Sequence, residues 1–236
     1  MKQFIFLLSM LGLLFFLAPV TLFATAAPIT IALEKAPINI HDTASIQRGA
    51  HFFATICMAC HTLTYLRYDT LAAKAGVIYE KMPLNVQQWP FGIKPPDLSL
   101  EANYRGVDWI YTYLHSFYQD TTRPTGFNNL LLPNTAMPGI LAPYQGLQTK
   151  TMDLIGSKRL FDSTMQWYDL LTLQQQGSMT PIQFDETLTD IVNFLNYAAN
   201  PQTIQQRRLG PWVIGFFIVL FILMYCLKQD YWKNIK

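Results

Sequence analysis

Five consecutive residues could do chemistry together: Cys57-Met58-Ala59-Cys60-His61. Two thiols separated by two residues, with a histidine directly after the second, have the spacing of a c-type haem attachment site. Each thiol can add across one of the two haem vinyl groups to form a thioether. The two intervening residues let one turn of backbone match the distance between those vinyls. The histidine is then pinned beneath the iron, where its imidazole can serve as the proximal ligand. Two other chemistries use a CxxC pair. Zinc needs four ligands, and the chain has no second CxxC or CxxH to complete the set. A thioredoxin-like redox pair follows a strand in a βαβ pattern, and nothing upstream has that pattern. The chain has only three cysteines. The third, Cys226, sits in a long apolar run where it packs as a small hydrophobe rather than pairing in a disulfide. With one CxxCH, the expectation is one covalently bound haem.

A haem that carries electrons in a low-spin state needs a second axial ligand, and a thioether raises its reduction potential by favouring ferrous iron. Two methionines precede proline, which helps hold a ligand loop rigid: Met82-Pro83 and Met137-Pro138. Met82 follows His61 closely and leaves little chain to pass around a haem edge. Met137 lies much farther on, in a Pro- and Gly-rich stretch, and spacing favours it without excluding Met82. His41, His51 and His115 are rivals of the kind that more often fill a surface or a core than bind iron.

The elements that must position these groups follow from periodicity. Ile46, Ala50, Phe53 and Cys57 recur on one helical face, so a helix from Thr43 delivers the haem motif at its C-terminal end. Gly49 within it is a poor helix former and points to another backbone passing close by. Residues 27–42 have no helical period and form an extended lead-in. Tyr65-Leu66-Arg67-Tyr68 is short helix or turn. Met82 to Pro96 and Gln119 to Pro143 are broken by proline and glycine and are loops. Asp108 through Phe117 is a helix with Trp109 and Tyr113 in register. Leu188, Ile191, Val192, Leu195, Ala198 and Ala199 form the stripe of a last helix in this portion, stopped by Pro201. An early helix entering the haem motif and a late helix closing the domain make a mainly α, class I cytochrome c-like layout. The sequence contains no internal repeat.

The chain has 236 residues, a formal net charge of +2 and 14% charged residues, which excludes a nucleic-acid reader built on a basic face. A hydrophobic fraction of 51% and a mean hydropathy of +0.17 are too apolar for a purely soluble chain. Phe4 to Phe23, after Lys2 and before Ala24-Thr25-Ala26, is a secretory signal peptide over residues 1–26, or an uncleaved N-terminal anchor. Either exports residues 27–206. Pro211 to Leu227 carries no charge and spans ~25 Å as a helix, the short end of the transmembrane range. Proline suits its first turn. Arg207 and Arg208 on one side, Lys228, Lys233 and Lys236 on the other, and Trp212, Tyr225, Tyr231 and Trp232 flank it as interface anchors. Residues 207–236 therefore form a single-pass anchor. Its flanking charges are nearly balanced, but haem attachment outside the membrane places the C-terminus in the cytoplasm and the haem domain on the periplasmic side of a bacterial inner membrane.

Several segments together resemble the cytochrome c1 family, the haem subunits of cytochrome bc1 complexes. Arg48-Gly49 precedes the haem motif at the family's distance, and Lys94-Pro95-Pro96-Asp97-Leu98-Ser99 matches its Pro-Pro-Asp-Leu-Ser segment. Ala102-Asn103-Tyr104-Arg105-Gly106-Val107-Asp108-Trp109 resembles its Ala-Arg-x-Gly-Gly-x-Asp-Tyr stretch, with one glycine missing. Phe127-Asn128-Asn129, Pro133 and Ala136-Met137-Pro138 resemble its methionine loop, without the usual Asn-Pro-Tyr. The helix from Asp190 to Pro201, then Arg207-Arg208-Leu209-Gly210, one span and a basic tail complete the likeness.

The resemblance implies haem held covalently by Cys57 and Cys60, with His61 and Met137 axial. It also implies Arg105 beside a haem propionate and Pro95-Pro96 lining the pocket. It further implies cytochrome b and a Rieske iron–sulfur protein as partners in a dimeric membrane complex, a c-type cytochrome as electron acceptor, and outer-sphere electron transfer with no acid, base or nucleophile on this chain. Other settings for such a chain are a tethered cytochrome serving another oxidase or dehydrogenase, and a non-haem CxxC thiol oxidoreductase.

Overall fold

The computed structural model describes residues 31–86, 88–89, 91–151 and 166–233, so the expected signal segment lies outside it. Helix α1 (Thr43–Thr55) starts where Asp42 Oδ1 accepts the Ser45 amide proton at 3.0 Å, a side-chain cap on the first turn. Its buried face is Ser45, Ile46, Gly49, Ala50 and Phe53, as the spacing predicts. Cys57 begins a separate 3₁₀ turn, Cys57–Ala59, one residue after the helix cap.

The other half of the core is the long helix Pro181–Ala199. It begins with a capping box in which Thr180 and Gln183 satisfy each other's backbone amides, and with proline at the first turn. The sequence stripe marks only its second half, because its first two turns bury little beyond Phe184. This helix crosses α1 at Gly49. A Cβ at that position would lie 1.9 Å from the Asp190 carbonyl oxygen and 2.9 Å from Phe194 Cβ. Glycine is required because the two backbones touch. Phe53 and Phe194, both fully buried, meet with ring centroids 5.7 Å apart. Asn193 Nδ2 donates to the Asn39 carbonyl and to Ser45 Oγ, tying the extended lead-in to the same crossing. Arg48 makes a two-pronged ion pair with Asp190 at 2.7 and 2.8 Å.

Between these helices in sequence come α2 (Thr70–Lys74), α3 (Glu101–Tyr104) and α4 (Val107–His115), followed by β1 (Phe117–Gln119) and β2 (Phe127–Asn129), which pair antiparallel. The expected helix over Asp108–Phe117 thus ends two residues early, and Phe117 opens a strand. A short helix, α5 (Ala142–Gln145), leads into β3 (Gly146–Lys150). A one-turn helix, α6 (Trp167–Leu170), precedes β4 (Leu171–Gln176), antiparallel to β3 with an irregularity between Leu147 and Gln148. Helix α7 is Pro181–Ala199. Gln148 Nε2 donates to the carbonyls of His115 and Phe117, joining this second hairpin to the end of α4. The lead-in is fixed on α4 where the Glu34 and Ala36 amides donate to Thr112 Oγ1 and Asp108 Oδ1, each at 2.8 Å.

The last helix, α8, runs Thr203–Trp232. Its stretch Leu209–Trp232 has mean hydropathy 2.3 and buries nothing against the rest of the chain. At ~1.5 Å per residue it is ~36 Å long, enough to cross a membrane. One expectation fails here. Pro211 lies inside the helix rather than in its first turn. The helix extends N-terminally through Thr203–Gly210, so the Arg207 carbonyl has no amide donor four residues on.

Candidate haem site

The haem motif leaves α1 as a tight turn in which the amides of Cys60 and His61 both donate to the Cys57 carbonyl, at 3.0 and 2.8 Å. Both thiols are free. Burial, aided by the neighbouring Cys60, pushes the Cys57 thiol up to about 12. A CxxC pair that exchanges disulfides needs the opposite shift, toward an accessible thiolate. Burial of Cys57 therefore does not favour it as a redox-active thiolate.

His61 is oriented by the Pro-rich segment. Its Nδ1 lies 2.9 Å from the Pro96 carbonyl oxygen. A carbonyl can only accept, so Nδ1 carries the proton and the Nε2 lone pair is left for a metal. Burial lowers the imidazole pKa, partly opposed by the Pro96 hydrogen bond, so the ring favours the neutral form that ligation requires. The Pro96 carbonyl is itself held by its neighbours. The Leu98 amide donates to the Thr62 carbonyl, and Asp97 accepts from Thr62 Oγ1 at 2.6 Å and from the amides of Thr64 and Ser99. Burial alone would raise the Asp97 carboxyl, but the hydrogen bonds from Ser99, Thr62 and Thr64 outweigh it and hold the group below its ordinary value.

The chain then passes through α3 to Arg105, whose Nε donates to Glu101 Oε1 at 2.5 Å. Its guanidinium lies 4.2 Å over the Trp109 ring. Among the described residues its Nη groups make no hydrogen bond to protein, so they remain free to meet an anion. Trp109 stacks on Tyr113 at 4.9 Å. Tyr113 reaches Met137: its hydroxyl is 2.9 Å from Thr135 Oγ1 and 3.6 Å from Met137 Sδ. Burial pushes the phenol up to about 12. Helix α4 thus brings Arg105 and Met137 to one side.

Two of the rival ligands, Met82 and His115, are engaged elsewhere. Met82 is buried, and its sulfur accepts the Leu63 amide proton at 3.3 Å, so it belongs to the core. His115 is buried with Nδ1 on the Tyr111 carbonyl and Nε2 on Asp185. His41 and His51 are exposed, on and before α1 and away from its buried face. Pro95 is half-buried and Pro96 exposed. The identifiable contribution of Pro96 is its carbonyl.

What sequence reading missed is how the methionine loop is held. Asn129 Oδ1 accepts from the amides of Leu131 and Leu132, and its Nδ2 donates to the Tyr113 carbonyl. Asn128 Oδ1 accepts from Asn134 N, and Arg123 grips Asn134 through Oδ1 and the carbonyl. The signal was available as Asn-Asn ahead of a Pro-containing stretch, since such side chains bond nearby backbone in turns.

The donor set fits a c-type haem: two free thiols on one turn, a neutral imidazole with Nε2 open, a thioether on a braced loop and an unpaired guanidinium edge. A buried indole N–H, Trp89 Nε1, in the loop that leads to Pro95, has no acceptor among the described residues.

Comparison with known proteins agrees with that chemistry. The model of the cytochrome C1 family matches residues 33–88 and 85–235. The chain is 37% identical over 217 residues to the cytochrome c1 of Allochromatium vinosum, covering 84% of this chain and 87% of that one. It is 34% identical over 216 residues to a protein of Nitrosomonas europaea named ammonia monooxygenase gamma subunit, covering 82% and 85%. The mitochondrial cytochrome c1 haem protein of Saccharomyces cerevisiae is 24% identical, covering 83% of this chain and 68% of that one.

Proposed function

Because the chain belongs to the cytochrome c1 family and is a membrane-anchored, haem c-bearing electron-transfer subunit of a bc1-type complex, we propose that it accepts one electron from a Rieske iron–sulfur protein and passes it to a c-type cytochrome. The observation that carries this reading is the bond from His61 Nδ1 to the Pro96 carbonyl beside two free thiols. It prepares one imidazole nitrogen for iron at the position where a thioether-linked porphyrin would lie.

In this reading Cys57 and Cys60 would hold one haem covalently, each through a thioether to a former vinyl group. Haem bound there supplies a one-electron ferric–ferrous couple. The residues of the chain position and tune it. His61 and Met137 would hold the iron through imidazole nitrogen and thioether sulfur. Pro96 fixes the imidazole, and Pro95 and Pro96 flank that face. Arg105 offers its free Nη groups to a propionate, where a charged, forked donor is favoured. No side chain transfers a proton or attacks a substrate. Residues 27–206 form the haem domain on the periplasmic side of a bacterial inner membrane. Residues 207–236 anchor it beside cytochrome b, with the C-terminus in the cytoplasm and the complex dimeric.

The test is a pyridine haemochrome spectrum of the matured, denatured chain. A c-type band is expected in wild type and none in the Cys57→Ala/Cys60→Ala double variant. A denatured wild-type chain without that band ends the haem assignment. The name of the Nitrosomonas relative favours one other setting, a tethered haem subunit of an oxygenase complex. Copurification separates the two: cytochrome b and a Rieske protein are expected to leave detergent-solubilised membranes with this chain.

A further inference from the structure

Three polar groups around Met137 close on one another. The Met137 amide donates to Thr135 Oγ1 at 3.3 Å. Thr135 Oγ1 lies 2.9 Å from Tyr113 Oη, and Tyr113 Oη lies 3.6 Å from Met137 Sδ, a hydrogen-bonding distance for an atom as large as sulfur. Each hydroxyl has one proton to give, and the thioether has none. Thr135 and Tyr113 are both buried. If Tyr113 donated to Thr135, the threonine proton would have no acceptor among the described residues and the sulfur would have no donor. One assignment uses every proton: Met137 N–H to Thr135, Thr135 O–H to Tyr113, and Tyr113 O–H to Met137 Sδ.

The phenol is held in place to do this. Its ring is stacked on Trp109 at 4.9 Å, meets the edge of Phe117 at 5.0 Å, and its carbonyl accepts from Asn129 Nδ2. The loop end is separately fixed by Arg123 on Asn134. We propose that Tyr113 is a positioning residue for the Met137 thioether. It occupies one sulfur lone pair so that the other is presented to iron, and it thereby sets the reduction potential of the site. The inference rests on Met137 being the axial ligand. A hydrogen-bonded sulfur is a poorer electron donor, and ferric iron loses more by this than ferrous iron does. The phenol therefore raises the potential.

The test is redox titration and absorption spectroscopy of the full-length holoprotein in detergent, with Tyr113→Phe, Thr135→Val, Thr135→Ser and Met137→Ala. Tyr113→Phe is expected to keep its covalent haem and the red charge-transfer band of a methionine–iron bond. At a fixed ambient potential its ferrous-to-ferric ratio should fall about three- to tenfold, ~30–60 mV at 59 mV per decade for one electron. Thr135→Val should shift in the same direction by less, because the phenol loses its own donor, and Thr135→Ser should restore the wild-type ratio. A ratio in Tyr113→Phe that rises or stays within twofold of wild type overturns the proposal. If that variant does not fold, the valine–serine pair decides: a valine variant indistinguishable from serine overturns it equally. Met137→Ala tests the premise alone. Persistence of the band there means that another group binds iron, and the ligand assignment fails with the relay; its loss while Tyr113→Phe is unchanged sinks only the relay.

Discussion

The side of the site that carries His61 and the side that carries Met137 are built on different principles. His61 follows a core helix by one tight turn and is steered by a backbone carbonyl, that of Pro96, in a segment that pairs with Thr62 through its own backbone. Met137 lies in a loop with no regular structure of its own and is steered by side chains: Thr135 within the loop, Asn128, Asn129 and Tyr113 from outside it and, one step out, Arg123. Backbone steering tolerates substitution, because any residue with the right φ/ψ offers the same carbonyl. Side-chain steering does not, but it can be adjusted one group at a time. In the proposed assignment the first arrangement would suit a ligand that covalent attachment pins nearby, and the second a ligand whose hold on iron decides the potential.

That contrast makes distinct predictions. The largest concerns the frame behind His61. Gly49→Ala puts a methyl group against the Asp190 carbonyl at the crossing of α1 and α7, where no flexible side chain can give way. The loss should be about 3 kcal/mol, read by chemical denaturation, with haem yield falling alongside it. A stable variant with normal haem content would mean that the two helices are not rigidly in contact. The next concerns the Met137 side. Asn129 is 1% exposed and serves two loop amides and the Tyr113 carbonyl. Asn129→Ala strands these groups and should cost about 2 kcal/mol, while the methionine–iron band weakens and covalent haem is retained. Loss of covalent haem instead would show that the two sides are not independently built.

Much of this division was legible in the sequence. The haem motif, the α1 face and the role of Gly49 follow from spacing and from the oddity of glycine in a helix, because they rest on local periodicity and one close backbone approach. The two hairpins did not show. Phe117-Tyr118-Gln119 and Phe127-Asn128-Asn129 are three residues each, too short to display alternation, and in Leu171–Gln176 only Leu171 is buried. The choice between Met82 and Met137 could not be closed by spacing either. Each sulfur accepts a hydrogen bond from a residue distant in sequence, Leu63 N in the core for Met82 and Tyr113 for Met137, so neither setting could be read from spacing. Pro211 misled because a proline compatible with a first turn is also tolerated inside a long helix with one unpaired carbonyl.

The smallest predicted effect tests the backbone-steered side through its carboxylate, Asp97. Asp97 is exposed, so removing its charge cannot cost much: Asp97→Asn should lower stability by about 1 kcal/mol at neutral pH. Its pH dependence is more specific than its size. The folded-state pKa lies below the ordinary carboxylate value because the bonds from Ser99, Thr62 and Thr64 outweigh burial. The group therefore adds stability that is fully present above about pH 4 and is lost as pH falls through its folded value. Denaturation of wild type and Asp97→Asn between pH 7 and pH 3 should give two curves separated at neutral pH that converge in acid. A gap that stays constant across that range would place the contribution of Asp97 in geometry rather than charge. Convergence accompanied by loss of the methionine–iron band would instead couple the two sides, since nothing in the bonds of Asp97 reaches Met137 directly.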